Sequence, residues 1–357
     1  VSGFATITTP GPLRALIVGA GFMGRNWARE IARRPDTELV GWVDLDEAAL
    51  REAVKEAGLA SASDPAGDSG SGVVTGTDLA ALLRGRTPDI VFNCSPPAAH
   101  RTVTTSALEH GCAVLSEKPM AMTLAEAREL CAVSERTGRL LAVTQDRRQL
   151  SGTRALKEAA RRLAPLTRLE IDFRLPHRAG PYVHLWDEPL LREMAIHLFD
   201  AARAVTGADA QSVFCTAYRT PWSWYPGNDS AEALFQMDDG LHFAFTGCWT
   251  ARSDFTSWTG RWYLEGAGGS ATWDGLGAPV LTPAREEGEA EPPSETLPVE
   301  PQSPEFPGLA EVLAGFVHAL RTGEVPDGEC HDNLRSLAMV EAAVASSQYA
   351  QPVVVEN

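Results

Sequence analysis

The 357-residue chain has no apolar run approaching the ~20 residues a membrane helix needs, so no spanning segment is expected. Residues 1–12 have neither a basic start nor an apolar core, which argues against a signal peptide there. Paired cysteines are also missing. Cys94, Cys112, Cys131, Cys215, Cys248 and Cys330 are scattered without a C-x-x-C spacing, which suggests neither a zinc site nor a disulfide framework. The expected compartment is a reducing cytoplasm. Positive charge is scarce: 31 Lys and Arg face 47 Asp and Glu, a formal net charge of −16. That field repels phosphate backbones and argues against nucleic-acid binding. Part of the acidity is local, since residues 285–305 hold seven Glu and one Arg. What remains is an ordinary globular composition, 44% hydrophobic and 22% charged, and enough chain for two domains.

Up to about residue 146, short apolar runs at 14–18, 38–43, 90–93, 113–116 and 140–144 alternate with helical patterns. This alternation predicts an α/β domain around a parallel sheet, with strands buried on both faces. The helix expected over 123–137 has capping-box spacing at Thr123 and Glu126, and Gly138 stops it. The Ser-, Gly- and Asp-rich stretch 61–72 reads as a loop. From residue 147 the texture changes. Strand-like runs at 167–174, 212–220, 231–237, 241–249 and 261–265 follow one another, with a turn signal at Asp238-Asp239-Gly240. An α+β domain over 147–357 with a mostly antiparallel open sheet is expected. Within it, 283–308 reads as an acidic, Pro-rich loop, and helices at 309–321 and 333–348 close the chain. Asp332 is the expected N-cap of the last helix.

The first chemical motif is Gly19-Ala20-Gly21-Phe22-Met23-Gly24, between a strand and a helix. Gly19 permits the tight turn, Gly21 lets backbone approach a pyrophosphate, and Gly24 lets helix and strand pack closely. The helix N-terminus offers N–H groups to the phosphates. Asp44, ending the second strand, can accept ribose hydroxyls and would repel a 2′-phosphate, which favours NAD over NADP. Ser95 and Pro96, with His100 following, come after another strand, and Glu117-Lys118-Pro119 after the next. In open α/β sheets such loops converge at the carboxyl ends of the strands, and all are assigned to the cofactor site. A partly desolvated Lys118 near a cationic nicotinamide would have a lowered pKa suited to proton transfer. Cys94 reads as a small apolar filler.

These motifs, together with the 190–200 segment and Asp332-Asn333-Leu334-Arg335-Ser336-Leu337, resemble the Gfo/Idh/MocA oxidoreductases over nearly the whole chain. The resemblance implies a Rossmann domain, a C-terminal open-sheet domain, and a homodimer or homotetramer packed through those sheets. It also implies pyridine-nucleotide redox chemistry on sugars, inositols or related polyols. Lys118 is implied to contact the nicotinamide ribose and the substrate hydroxyl.

Within Leu190–Asp200, Glu193 and His197 stand four apart, so on an α-helix they share a face. An imidazole titrating near neutrality can take a hydroxyl proton as hydride leaves. Relatives usually carry Asp-x-Gly-x-His here; this chain has Glu193 and Ala195 in place of the acid and the glycine. Glu193 is expected to orient His197 or hold a neighbouring hydroxyl. Tyr182, His184 and Trp186 form a polar-aromatic cluster suited to sugar rings, and Trp222, Trp224 and Tyr225 form a second. Arg147 and Arg148 resemble the family's paired arginines, with structural or substrate-proximal roles. Asp200 reads as structural, and no metal is expected.

The expectation is an NAD-dependent dehydrogenase or reductase for a polyhydroxylated small molecule, with Lys118, His197 and Glu193 catalytic. Two other classes stay open. A redox glycosidase of the same fold would retain its cofactor without net NADH production. A non-enzymatic NAD-binding regulator would be favoured by loss of the lysine or the histidine, and both are present.

Overall fold

The computed structural model describes residues 3–59, 61–62, 72–285, 287–288, 290, 292–302 and 306–356. The chain divides into two compact units, Val1–Thr144 with Leu309–Leu334 and Gln145–Gly308 with Arg335–Asn357.

In the first unit, β1 (Leu13–Val18), β2 (Thr37–Val43), β3 (Ser61–Ala62), β4 (Val73–Gly76), β5 (Ile90–Asn93), β6 (Ala113–Ser116) and β7 (Leu141–Val143) form one sheet. Its seven strands lie in the order β3-β4-β2-β1-β5-β6-β7, and every pair is parallel. Strands β5, β6 and β7 are buried at every residue, because helices must cover both faces of a parallel sheet. The connecting helices are α1 (Phe22–Ala32), α2 (Glu47–Glu56), α3 (Leu79–Arg86), α4 (His100–Glu109) and α5 (Leu124–Thr137). Helix α5 begins where its cap predicts: Thr123 Oγ1 accepts the Glu126 N–H at 3.2 Å, and Gly138 ends it at φ 63°. The loop expected over 61–72 differs at its start, where 61–62 pair with β4; residues 63–71 lie outside the described residues. Strand β4 carries no clear mark in the sequence, because its two valines are followed by Thr75 and Gly76 rather than by a continuous apolar run.

The second unit holds α6 (Ser151–Leu163), β8 (Leu166–Arg174), α7 (Ile196–Thr206), β9 (Ala210–Tyr218), β10 (Ser230–Met237), β11 (His242–Cys248), β12 (Arg261–Gly266), β13 (Gly269–Trp273), β14 (Val280–Pro283) and β15 (Glu295–Thr296). Of the expected acidic loop 283–308, residues 295–296 are therefore strand; 286, 289, 291 and 303–305 lie outside the described residues. Helix α8 (Leu309–Thr322) belongs to the first unit, α9 (Cys330–Tyr349) runs from the first into the second, and β16 (Val353–Val354) ends the second. That return of the chain carries no periodicity signal and could not be read from the sequence. Helix α9 starts at Cys330, which places Asp332 in its first turn rather than at the cap.

The large sheet has nine strands in the order β15-β14-β13-β12-β8-β11-β10-β9-β16. It is mixed: β11 runs parallel to β8, and the other neighbours are antiparallel. Strand β10 alternates buried and exposed residues, as a strand packed on one face should. On the packed face Phe199 of α7 meets Phe235 and Phe245 edge-on, ring centroids 4.9 and 5.2 Å away. Such pairs add about 0.5–1.5 kcal/mol each beyond area burial, and they fasten α7 to the sheet.

Candidate active site

In the first unit the glycines act through backbone geometry. Gly19 has φ +104°, and a Cβ there would strike the Cys94 carbonyl carbon at 2.7 Å. A Cβ on Gly24 would strike the Gly19 carbonyl oxygen, so the closure of helix onto strand requires glycine. At Gly21, by contrast, no described atom lies within 4 Å of a Cβ built on the residue. This open face lies at the N-cap of α1, where glycine supplies no capping side chain for the first N–H groups. Phe22 is exposed and Met23 half-buried. The Trp42 indole N–H donates to the Gly19 carbonyl at 3.0 Å, which steadies the turn.

Asp44, half-buried, holds the loop. Its Oδ2 accepts the Ala20 N–H at 2.6 Å and its Oδ1 the Asp46 N–H at 2.8 Å. Each oxygen keeps acceptor capacity for a hydroxyl. The open backbone at Gly21, the uncapped helix start and this carboxylate together fit a dinucleotide.

The loops after β5 and β6 are joined by His100, which is buried. Its Nδ1 lies 2.7 Å from the Pro119 carbonyl oxygen and its Nε2 2.8 Å from that of Ser95. His100, expected to bind cofactor, thus braces the two loops against each other. Asn93 organises the first loop, accepting the Ser95 hydroxyl at 2.6 Å and donating to Thr104 at 3.0 Å. Pro96 is exposed. Glu117 is also turned inward: its Oε1 accepts the Trp27 indole N–H at 2.8 Å. The half-buried Lys118, one of three lysines in the chain, follows it. Burial and the Glu117 charge push the Cys94 thiol well up, so it stays protonated, in keeping with a filler role.

The second unit gathers a different set. A short turn, Asp146–Gln149, places Asp146 Oδ1 3.6 Å from Nδ1 of His197, a ring with 12% of its side chain exposed. This carboxylate was missed in the sequence, since it lies 51 positions from the histidine and belongs to no short motif. Asp146 Oδ2 also accepts from Arg147 at 3.0 Å. Arg148 grips the fully buried Asp200 through two bonds of 2.6 Å, and Ser336 donates to the same carboxylate at 2.7 Å. That pair is structural: a buried guanidinium–carboxylate fork fixes the start of α6 against α7.

Glu193 lies on Leu190–Ala195, which is wound as a π-helical turn rather than the α-helix expected over this stretch. Such turns are rare and often mark functional sites. Glu193 Oε1 accepts the Tyr182 hydroxyl at 3.0 Å. Tyr182 and Trp186 meet edge-on at 5.6 Å, and His184 lies 4.9 Å from the Tyr225 ring. Tyr225 stacks on Trp249 at 5.5 Å, and Arg178 covers Trp224 at 4.4 Å. Burial lowers the His177 pKa, with the Glu193 charge opposing it. Burial raises the Glu188 carboxyl, whose Oε1 accepts from Asn228 at 3.1 Å. The two expected aromatic clusters thus meet through His184 and Tyr225 as a wall that also takes in Trp249 and His177, while the Trp222 indole N–H donates to the Thr250 carbonyl at 2.9 Å.

Residues 13–145 match an oxidoreductase family with an NAD-binding Rossmann fold, and residues 159–272 match the Gfo/Idh/MocA C-terminal domain. The chain belongs to the Gfo/Idh/MocA oxidoreductase family. Among curated Gfo/Idh/MocA-like relatives, D-apiose dehydrogenase of Paraburkholderia graminis is 25% identical over 358 residues, covering 98% of this chain and 91% of its own. D-glucoside 3-dehydrogenase of Escherichia coli is 35% identical over 151 residues, 42% of this chain and 39% of its own. Among solved structures, an Agrobacterium radiobacter oxidoreductase in complex with NAD+, L-tartaric acid and magnesium superposes with a TM-score of 0.84 at 19% identity, covering 96% of this chain and 98% of that one. At that identity the likeness shows the fold alone.

Proposed function

We propose that this Gfo/Idh/MocA chain is an NAD-dependent dehydrogenase or reductase acting on a CH–OH carbon of a sugar, inositol or related polyol. The observation that carries the reading is His197 beside the Asp146 carboxylate, 3.6 Å away, in the unit that also presents the aromatic wall. Such a ring suits proton exchange with a hydroxyl, and aromatic faces suit the apolar faces of sugar rings. The sugar dehydrogenases among its relatives support the substrate class.

Bound NAD supplies the hydride acceptor or donor. Gly21 leaves room for a pyrophosphate at the start of α1, Gly19 and Gly24 let the turn and helix close tightly beside it, and Asp44 accepts the adenosine ribose hydroxyls, which favours NAD over NADP. Lys118 and His197 divide the proton work at the reacting hydroxyl. In oxidation the O–H proton passes to one of these groups as the carbinol hydrogen leaves with its electron pair. The Asp146 charge stabilises the imidazolium that forms when His197 is the acceptor. Glu193 orients Tyr182 and the neighbouring wall, or holds a substrate hydroxyl.

Among the described residues no helix is long and apolar enough to cross a membrane. The reading includes a cytoplasmic homodimer or homotetramer, supported by Phe214, Tyr218 and Leu234, which are exposed on the open face of the nine-stranded sheet. Retention of Lys118 and His197 weighs against a purely regulatory NAD-binding role. The test is a screen of sugars, inositols and their keto forms with both cofactors, read by absorbance of reduced nicotinamide. Net NADH production from one polyol class supports the proposal; cofactor retained without net reduction points to a redox glycosidase instead.

A further inference from the structure

The six scattered cysteines do not all stay apart in the fold. Cys131 on α5 and Cys330 at the start of α9 come together with His331, and one ligand atom from each lies within 4.8 Å of the others. All three belong to the first unit. Cys131 and Cys330 are buried, while His331 is half-buried beside a surface depression lined by Phe4, Ser134, Glu135, Arg139 and Glu329.

We propose that Cys131, Cys330 and His331, completed by Glu329, form a structural zinc(II) site. Two thiolates, an imidazole and a carboxylate make a set that zinc takes in tetrahedral geometry. Around such an ion, with zinc–sulfur about 2.3 Å and zinc–nitrogen about 2.0 Å, sulfur and nitrogen stand about 3.5 Å apart. Cys330 Sγ and His331 Nδ1 are 3.5 Å apart. Glu329 Oε1 lies 3.0 Å from that sulfur and 2.8 Å from that nitrogen, so three of the four donor atoms already converge. The far ring nitrogen, Nε2, lies 3.1 Å from Glu135 Oε1. A carboxylate accepting from the outer nitrogen of a zinc-bound histidine fixes the tautomer that leaves the inner lone pair for the metal.

The ligands come from α5, from the start of α9 and from the segment joining it to α8. That segment is already pinned to the edge of the parallel sheet. Glu329 bridges Ala142, and the Val143 N–H donates to the Gly328 carbonyl at 2.8 Å. Zinc would clip the returning 309–334 segment to α5 and β7. This role is separate from the redox chemistry proposed above.

The test uses the full-length protein under reducing conditions. Metal content after gel filtration should approach one zinc per chain. Cobalt(II) titration should give a thiolate-to-cobalt charge-transfer band with the visible bands of tetrahedral cobalt. Cys131→Ser and Cys330→Ser should each weaken binding more than tenfold, and Glu135→Gln should weaken it less while leaving the fold intact by circular dichroism. Cys248→Ser, away from the cluster, should change nothing. Absence of the charge-transfer band in the reduced protein would overturn the site. So would bands unchanged by the cysteine variants, or a Cys131–Cys330 disulfide as the resting state under these conditions.

Discussion

The two units differ in what builds their candidate sites. In the first, backbone geometry does most of it: three glycines, an uncapped helix start and carbonyls bridged by His100. In the second, side chains from distant segments do it: Asp146 from one turn, His197 from α7, Tyr182 from a 3-10 turn and Tyr225 from a loop. Backbone chemistry needs particular residues at short, regular spacing, whereas side-chain chemistry leaves each residue type free to come from anywhere the fold brings together.

This contrast can be broken first at the glycines. Gly24→Ala should cost about 3 kcal/mol or more, because its Cβ meets a backbone carbonyl that cannot move cheaply. Gly21→Ala should leave thermal stability nearly unchanged yet abolish NAD binding, because its Cβ enters only open space over the loop. Thermal melts with and without NAD separate the two, and equal destabilisation would erase the distinction.

The next effect falls on turnover. Lys118→Ala and His197→Ala should each lower kcat by roughly 10²–10⁴-fold while NAD affinity stays within a few fold. Near-full kcat in either variant would remove that residue from proton transfer.

The third sharpens the roles of the two carboxylates in the second unit. Asp146→Asn should move the acidic limb of the kcat profile down, since a lost negative charge no longer stabilises imidazolium. Glu193→Gln should raise KM and leave that limb in place if its partners are Tyr182 and substrate. A limb that follows Glu193 and not Asp146 would assign the histidine's partner to Glu193, as the sequence spacing suggests. A double-mutant cycle with His197→Ala measures which pair is coupled.

A smaller effect concerns Glu188. Its carboxyl is raised by burial, so the folded state favours the neutral form, while an unfolded chain gives up the proton first. Stability is therefore present below the ordinary carboxyl range and falls as pH rises through the raised value. Glu188→Gln should stabilise the protein by about 1 kcal/mol at neutral pH and by little in acid. Melting curves at the two pH values check the sign.

How far the sequence could be read follows the same division. The β1 turn, the α5 caps and strands β5 and β6 were legible because each is marked by contiguous residues. The β3–β4 edge, the strands β13 to β15 and the first turn of α9 were not, since short edge strands and early helix turns take their stability from neighbours. Glu193 and His197 were found by their spacing, but the π-helical turn that carries Glu193 leaves no mark in that spacing. Asp146 and the Cys131–Cys330–His331 cluster were out of reach, because only the fold brings such distant positions together.

The central claim is NAD-dependent oxidation or reduction at a polyol carbon, and the most direct measurement is transfer of deuterium. A polyol substrate identified by the screen, labelled with deuterium at the reacting carbinol carbon, is incubated with NAD+ and the unmodified protein, and the nicotinamide is analysed by mass spectrometry. The account predicts one deuterium in the reduced nicotinamide, formed roughly 10²–10⁴-fold more slowly by the Lys118→Ala and His197→Ala variants. Reduced nicotinamide without deuterium, or label transfer at an undiminished rate in both variants, would contradict it.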